Sequence, residues 1–193
     1  MIDQPSPSPS PSPSPLARRQ FEAWTRRAFG YGLALLVFAI DRGVKAWLLG
    51  PVALDHTDAI PILPIFALRY TQNFGVSLGL FTATSAHMRL ILIGVTTAIA
   101  LGVAIWLMIE RRRADVIGLA LVLGGALGNI FDRVVYGYVI DYADLHIGEW
   151  RPFLIFNLAD TAITCGVLIL LARSLLSGEK PGTDRATPPT ENS

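Results

Sequence analysis

The chain has 193 residues, of which 52% are apolar and only 16% are charged. Because soluble domains carry roughly 25% charged residues, this composition favours a membrane protein. The net charge of +1 argues against a nucleic-acid partner. A single cysteine excludes an internal disulfide, and the three histidines are scattered, so no metal or cofactor is expected.

Both ends of the chain are predicted to lie outside a central membrane domain. Residues 5–15 alternate Pro and Ser, which is typical of an extended, disordered tail. Four arginines then precede the first apolar run, and the last residues are polar with Pro and Gly. We therefore predict a Pro/Ser tail with a basic cytoplasmic segment (1–27), a membrane domain (28–176) and a disordered C-terminal tail (177–193).

Four apolar runs are long enough to cross a bilayer, which takes about 20 residues. The second run is the clearest, because residues 90–109 contain no charge. Small residues recur at every fourth position from Gly94 to Gly102, and Gly124 and Gly128 share this spacing in the third run. Such spacing predicts close packing of a neighbouring helix. The predicted spans are residues 28–49, 90–109, 116–134 and 153–172.

The loops and basic residues indicate how the domain is oriented. Residues 66–71 alternate large apolar with small or polar side chains, which predicts a strand, and residues 73–79 look like a turn-rich loop. Arginines cluster before the first span, between the second and third, and after the fourth. By the positive-inside rule, both termini are cytoplasmic and both long loops face outward.

Carboxylates within the apolar runs indicate function, because an ionisable group costs ~2.5–3.5 kcal/mol at the membrane centre. At ~1.5 Å per helical residue, Asp41, Asp132 and Asp160 lie about 20 to 24 Å from the inner edge of a ~30 Å core. They would form one layer in the outer third of the membrane. Asp141 lies in the outward segment before the fourth span, which must fold back for Asp141 to meet Asp160.

These polar groups also have structural interpretations. Asn129, Asp132 and Arg133 share a helix face, so the last two could satisfy each other as an ion pair. Asp41 and Lys45 are one turn apart, which neutralises both charges and favours a supporting role. The polar stripe that begins the fourth span could simply hydrogen-bond to other helices.

The ordered motifs around these residues resemble the lipoprotein signal peptidase family, also called signal peptidase II. They are Gly-Asn-x-x-Asp-Arg, Gly-x-Val-x-Asp-aromatic and Phe-Asn-x-Ala-Asp, preceded by partial matches to Asp-Gln-x-x-Lys and Asn-x-Gly-Ala-Ala. The likeness covers residues 28–176. The matching residues are Asp41, Lys45, Asn73, Gly75, Gly128, Asn129, Asp132, Arg133, Gly137, Val139, Asp141, Tyr142, Phe156, Asn157, Ala159 and Asp160.

Several positions depart from the family pattern. Val76 and Ser77 replace small alanines, and Leu78 stands where a bulky aromatic is common. Arg42 replaces the usual Gln, and Tyr142 replaces Phe. These changes bear on the shape of the substrate pocket. They leave intact the two positions, Asp141 and Asp160, that match the catalytic residues of the family.

The resemblance implies an aspartic endopeptidase of the bacterial inner membrane, with Asp141 and Asp160 as its catalytic pair. It would cut prolipoprotein signal peptides just before a diacylglyceryl-modified cysteine. The residues that the resemblance implies to bind the substrate or support the pair are Asn73, Gly75, Asn129, Asp132, Arg133, Asn157, Ala159, Asp41 and Lys45. The implied fold is four transmembrane helices with a small extracytoplasmic β-cradle. The expected partners are lipid-modified prolipoproteins and membrane lipid, and the protein is expected to act as a monomer.

The chemistry of the residues is consistent with this function. Two carboxylates in a partly desolvated site share one proton. The ionised carboxylate activates water, and the protonated one donates to the developing oxyanion, without a metal.

Three alternatives remain at this point. Ser77 and Lys45 could form a Ser–Lys peptidase. The same carboxylates could serve as the relay of a small proton-coupled transporter, or the protein could be a structural assembly factor. Cleavage of a lipidated precursor, with each aspartate mutated in turn, separates these functions.

Overall fold

The structure, a computed structural model, describes residues 14–75 and 86–176. The Pro/Ser tail through residue 13, the departures at Val76, Ser77 and Leu78, and the C-terminal tail lie outside the described residues. The elements are α1 (Pro15–Leu49), β1 (Ile60–Leu63), β2 (Phe66–Asn73), α2 (Ala86–Ile109), α3 (Arg113–Val135), β3 (Val139–Leu145) and α4 (Leu158–Leu176), with a short 3₁₀ turn at Leu54–His56.

Three of the described helices are long and apolar enough to cross a membrane: His87–Ile109, Arg113–Val135 and Leu158–Leu176. The first predicted span is not among them, because Asp41, Arg42 and Lys45 interrupt the apolar run of α1.

Helix α1 also begins earlier than the predicted span. Ser14 caps it by accepting a hydrogen bond from the Ala17 N–H at 3.3 Å, and Pro15 occupies the first helical position. Both residues suit a helix start, since a Ser side chain satisfies a free N–H and Pro has none to satisfy. The basic segment through residue 27 is therefore helical.

Helix α3 is the central helix and contacts α1, α2 and α4. Its glycines allow the backbones of neighbouring helices to approach closely. A Cβ added at Gly124 would lie 2.5 Å from the Ala34 carbonyl oxygen, and one added at Gly125 would lie 2.4 Å from the Ala159 carbonyl oxygen. At Gly128 the nearest atom would be an Asp41 carboxylate oxygen at 2.6 Å. The predicted small-residue packing on α3 is thus confirmed.

The corresponding prediction for α2 is wrong. Apart from the backbone of its own helix, a Cβ at Gly94 or Gly102 would meet no atom of the described residues within 4 Å. Helix α2 instead packs against α3 through a face that contains the buried Ala100 and Leu107. Small-residue spacing permits close packing but does not say which face of a helix is packed.

The three strands form an antiparallel sheet in the order β1-β2-β3. The strand predicted at residues 66–71 is confirmed by β2. In the register of β2 and β3, Thr71 stands opposite Asp141 and Asn73 opposite Val139. The sheet therefore brings the end of β2 alongside Asp141.

The chain after β3 folds back along that strand. A tight turn pairs Ile147 with Trp150, and Gly148 within it has a φ of +60°. Ala143 then donates its backbone N–H to the Phe156 carbonyl oxygen at 2.8 Å and accepts the Phe156 N–H at 3.2 Å. This return brings the start of α4 back to the middle of β3, as the sequence required.

The predicted start of the fourth span at residue 153 is therefore wrong. Phe156 uses its backbone groups to pair with β3, so α4 begins only at Leu158. Asp160 consequently lies in the first turn of α4, not ~10 Å down a longer helix as the rise per residue suggested.

We predict that Gly125→Ala destabilises the protein, because its Cβ would meet the backbone of α4 at Ala159. Overpacking of this kind costs about 1–3 kcal/mol. Gly94→Ala is the matched control: its Cβ meets open space, and Ala favours a helix by up to ~1 kcal/mol. Thermal unfolding in detergent should show a lower midpoint for Gly125→Ala only; equal midpoints would contradict the close α3–α4 contact.

Candidate active site

Asp141 on β3 is buried, with 1% of its surface exposed. Asn157 donates its side-chain N–H to Asp141 Oδ1 at 2.7 Å, and Asn73 donates to Oδ2 at 2.9 Å. Burial raises the pKa of Asp141 to about 6, and the charge of Asp160 adds to this, although the two amide hydrogen bonds act in the opposite direction. Asp141 can therefore hold or release a proton near neutral pH.

Asp160 is fixed in place by the start of α4. Its backbone N–H donates to Asn157 Oδ1 at 2.9 Å, and its Oδ2 accepts the Asn157 N–H at 3.2 Å. This reciprocal pair is a capping box. The other oxygen, Oδ1, accepts from the Asn129 side chain at 2.8 Å. The carboxylate thus stands at the positive end of the helix dipole.

Asn157 connects the two aspartates. Its side chain donates to Asp141 and caps the helix that carries Asp160. The same amide nitrogen lies 3.2 Å from Asn129 Oδ1 and 3.3 Å from the Ile140 carbonyl oxygen. Because Asn157 is 1% exposed, this bridge is shielded from water.

A buried ion network lies behind the pair. Lys45 Nζ is 2.9 Å from Asp41 Oδ2 and 2.6 Å from Asp132 Oδ2, and all three side chains are 0% exposed. Arg42 also contacts Asp132. Asp132 thus pairs with two cations of α1. The structural alternative of an ion pair between Asp132 and Arg133 is wrong, because adjacent residues on a helix do not face each other.

The two carboxylates of this network also bind backbone. Asp41 Oδ1 accepts the Ala159 N–H at 3.2 Å, and Asp132 Oδ2 accepts the Ile140 N–H at 3.2 Å. These two backbone positions come directly before the two aspartates of the site. Lys45 thus joins two carboxylates, each of which anchors the backbone next to one member of the pair.

Arg133 and Gly75 lie at the edge of the site. The half-buried Arg133 donates to the Asn129 carbonyl oxygen at 3.4 Å. Gly75 has a φ of +83°, and its N–H donates to Asn73 Oδ1 at 2.8 Å. An added Cβ at Gly75 would lie 2.7 Å from Leu92, so glycine at this turn sets the position of Asn73.

The departures at Tyr142 and Arg42 both have a structural account. Tyr142 Oη accepts the Leu158 N–H at 3.2 Å, which satisfies a free donor at the start of α4. Burial raises the pKa of Tyr142 to about 12, so the hydroxyl stays neutral. Arg42 extends the ion network and stacks on Phe131, 4.2 Å from the ring centroid.

A cleft of about 620 Å³ opens beside Asp141, between the end of β2 and the segment that returns from β3. The role of this segment was not predicted, since its apolar residues resembled the start of a helix. Its Phe153 and Leu154 are 61% and 77% exposed. The residues that line the cleft with Asp141 are Thr71, Gln72, Asn73, Phe74, Arg151, Pro152, Phe153, Leu154 and Ile155.

Asp144 was also not predicted as a site residue from the sequence. Its carboxylate is 1% exposed and accepts from Arg69 Nε at 3.1 Å and from Arg151 Nε at 3.1 Å. It thereby ties β2 and the return segment to β3 on either side of the cleft. Among the described residues, no group of three or more His, Cys, Asp or Glu is placed to hold a metal ion.

Comparison with known proteins identifies relatives of the chain. The family described as signal peptidase (SPase) II matches residues 33–176. A lipoprotein signal peptidase of Sphingopyxis alaskensis is 48% identical over 160 residues, which cover 83% of this chain and 92% of that protein. One of Yersinia enterocolitica is 37% identical over 151 residues, covering 75% and 85%.

Solved structures share the fold. One chain of a bacterial membrane enzyme matches with a TM-score of 0.65 at 25% identity, over 79% of this chain and 95% of that one. A second gives a TM-score of 0.63 at 23% identity, over 80% and 93%.

We predict a specific pH dependence of stability from Asp141. The pKa of about 6, against an ordinary 3.8, means that the folded protein keeps a proton which the unfolded chain releases. The resulting stabilisation is fully present below about pH 4 and is lost as the pH rises through about 6. It amounts to ~3 kcal/mol at most.

Comparing the thermal unfolding of wild type and Asp141→Asn isolates this contribution, because other titrations are common to both proteins. From about pH 4 to pH 7, wild type should lose stability relative to the variant. A difference that stays constant with pH would contradict the raised pKa.

Proposed function

Because this chain belongs to the signal peptidase II family, we infer that it is a membrane endopeptidase that removes the signal peptides of prolipoproteins. We propose that Asp141 and Asp160 are its catalytic pair and that the cut falls before a diacylglyceryl-modified cysteine. The observation that carries the assignment is the shared partner Asn157, which hydrogen-bonds to both aspartates, of which Asp141 lines an open cleft.

In the proposed reaction the pair holds one proton, placed on Asp141 because burial favours its neutral form. Asp160 takes a proton from water as the water oxygen attacks the scissile carbonyl carbon. Asp141 gives its proton to the carbonyl oxygen, which forms a gem-diol. When the C–N bond breaks, Asp160 protonates the leaving amine and Asp141 recovers a proton from the gem-diol.

The cleft suits an extended peptide that carries acyl chains. Asn73 and Gln72 offer polar groups to a peptide backbone near Asp141, whereas Phe153 and Leu154 offer exposed apolar surface on the opposite wall. Apolar side chains beside a polar reaction centre are what a lipid-modified substrate requires. The other site residues that the resemblance implies would support the pair or the substrate, and we propose that the protein acts as a monomer.

We further propose that α1 is a fourth span, which gives both termini a cytoplasmic location in a bacterial inner membrane and places the sheet outside. Leu35, Leu36 and Ile40 on α1 are 64%, 54% and 47% exposed, as lipid-facing side chains would be. Its charged Asp41 and Lys45 are buried against α3 and α4 instead. Charged groups in membrane helices face other helices in this way.

Reporter fusions test this topology. A reporter that works only outside the cytoplasm should be active when it is fused after Gly148. A reporter that works only in the cytoplasm should be active when it is fused after Arg113. The opposite pattern at either site would overturn the four-span arrangement.

The contacts of Lys45 weigh against a Ser–Lys peptidase. A base would have to give up the charge that holds Asp41 and Asp132 together. Arg42 would still pair with Asp132, but the buried carboxylate of Asp41 would be left uncompensated. Its proposed partner Ser77 lies outside the described residues.

We predict that Asp141→Asn and Asp160→Asn each reduce cleavage of a lipidated precursor by about 10²–10⁴-fold, the usual contribution of a general acid or base. The double variant should be about as inactive as either single one, because the two residues act as a unit. Activity of the wild type should fall at both acidic and alkaline pH.

Asp115→Asn is the matched control for these variants. It is the same chemical change in a carboxylate that binds Arg173 at the opposite end of α3, and it should cleave normally. Near wild-type activity in either Asp141→Asn or Asp160→Asn would refute the assignment.

We also propose that Lys45 positions the pair through Asp41 and Asp132. Lys45→Met removes the charge at similar volume and should destabilise the protein by ~3–5 kcal/mol. In protein that remains folded, kcat should fall while KM changes little, because the cleft is untouched.

The double variant Asp41→Asn/Lys45→Met separates charge from position. It removes one negative and one positive charge and leaves Asp132 paired with Arg42, while the introduced Asn keeps an oxygen that can accept the Ala159 N–H. It should recover stability and part of kcat. If Lys45→Met has a wild-type kcat in its folded fraction, the positioning role is wrong.

A further inference from the structure

At the end of the molecule opposite the proposed active site, a cavity of about 570 Å³ lies between the first turns of α1 and the end of α2. Four arginines line it: Arg19, Arg26 and Arg27 from α1, and Arg111 from the link to α3. Glu22 is the one acidic side chain in its lining. Four positive charges against one negative charge leave a net charge of +3 in a confined space.

Two of these arginines are held rigidly. Arg26 Nε donates to the Glu110 carbonyl oxygen at 3.0 Å, and Arg27 Nε donates to the Met108 carbonyl oxygen at 2.8 Å. They satisfy carbonyls that the end of α2 would otherwise leave unpaired. Their terminal guanidinium nitrogens have no hydrogen-bond partner in the described ranges, so these donors are fixed in position and unused.

The acidic Glu110 is next to the cavity in sequence but does not line it. The Glu110 carboxylate is already occupied by the backbone N–H groups of Arg111 and Arg112, at 2.7 and 2.9 Å, and by Trp106 Nε1 at 3.1 Å. The side chains of Arg19 and Arg111 make no hydrogen bond or ion pair with any residue that the structure describes. Planar guanidinium groups that are free to donate are well suited to a phosphate.

Apolar surface adjoins the charged cavity. Met108 and Ile109 form part of its lining, and Ile109 is 69% exposed. On α1, Phe21 and Trp24 are 68% and 65% exposed, and their ring centroids lie 6.5 Å apart. Aromatic side chains of this kind lie at membrane–water interfaces, where a headgroup and its acyl chains are both within reach.

We propose that this cavity binds the phosphate of an anionic phospholipid, with the acyl chains lying on the exposed apolar surface beside it. The net positive charge of the cavity accounts for the binding of a phosphate group, and the adjoining apolar surface favours a lipid over free phosphate. Orientation of basic loops toward the cytoplasm explains where arginines are placed but does not require two of them to be anchored around a cavity. The site is independent of the proposed catalytic pair.

Native mass spectrometry of the full-length, delipidated protein tests the proposal. The protein is titrated with phosphatidylglycerol, with phosphatidylcholine of the same acyl chains, and with inorganic phosphate. Phosphatidylglycerol should bind most tightly. The variant Arg19→Gln/Arg111→Gln should weaken that binding by about 30-fold, since each arginine near a membrane surface contributes about a factor of five.

Arg18→Gln/Arg112→Gln is the matched control. It removes the same charge from the neighbouring positions, and neither residue lines the cavity. It should bind phosphatidylglycerol nearly as wild type does, and both variants should cleave precursor normally in detergent, which shows that they are folded.

Three outcomes would overturn the proposal. Equal losses in the two variants would indicate a diffuse surface charge and no built site. Equal binding of phosphatidylglycerol and phosphatidylcholine would show that the net charge is not recognised. Binding of inorganic phosphate as tight as that of phosphatidylglycerol would show that the apolar surface plays no part.

Discussion

The buried Lys45 ammonium, held between the carboxylates of Asp41 and Asp132, is the interaction on which the rest of the structure depends. Two carboxylates are stable in a low-dielectric interior only if they are paired with cations and also accept hydrogen bonds. Here Arg42 provides a second cation at Asp132, and the backbone N–H groups of Ala159 and Ile140 donate to Asp41 and Asp132. The network therefore joins α1, α3, α4 and β3 at a single level, and the geometry of the candidate site follows from it.

Such a network needs helices that approach more closely than ordinary side chains allow. Gly128 provides the room for Asp41, whose carboxylate would lie 2.6 Å from a Cβ at that position. Gly125 does the same for the α4 backbone, 2.4 Å from an added Cβ. In a membrane, where lipid is as apolar as leucine, close packing and polar contacts of this kind hold helices together. The glycines of α3 and the charges of α1 thus depend on each other.

Much of this arrangement could be predicted from the sequence, and the failures have identifiable physical causes. The alternation of large apolar with small or polar residues was enough to predict β2. The length of the apolar runs was enough to predict α2 and α3. The start of α4 was missed because residues 153–156 are as apolar as a membrane helix would be, although Asn157 followed by Asp160 is the signature of a capping box. The partner of Asp132 was missed because its cation, Lys45, comes from another helix and is distant in sequence.

The two aspartates differ because of the elements that carry them. Asp141 lies in a buried strand, where loss of water raises its pKa to about 6. Asp160 lies at the first turn of a helix, where backbone donors and the helix dipole stabilise negative charge. In the proposed mechanism the first environment suits the acid and the second suits the base, as it does wherever neighbouring carboxylates take different roles. In that mechanism, the division of roles between acid and base follows from secondary structure, since a strand and a helix start meet at Asn157 and present the two carboxylates in unequal surroundings.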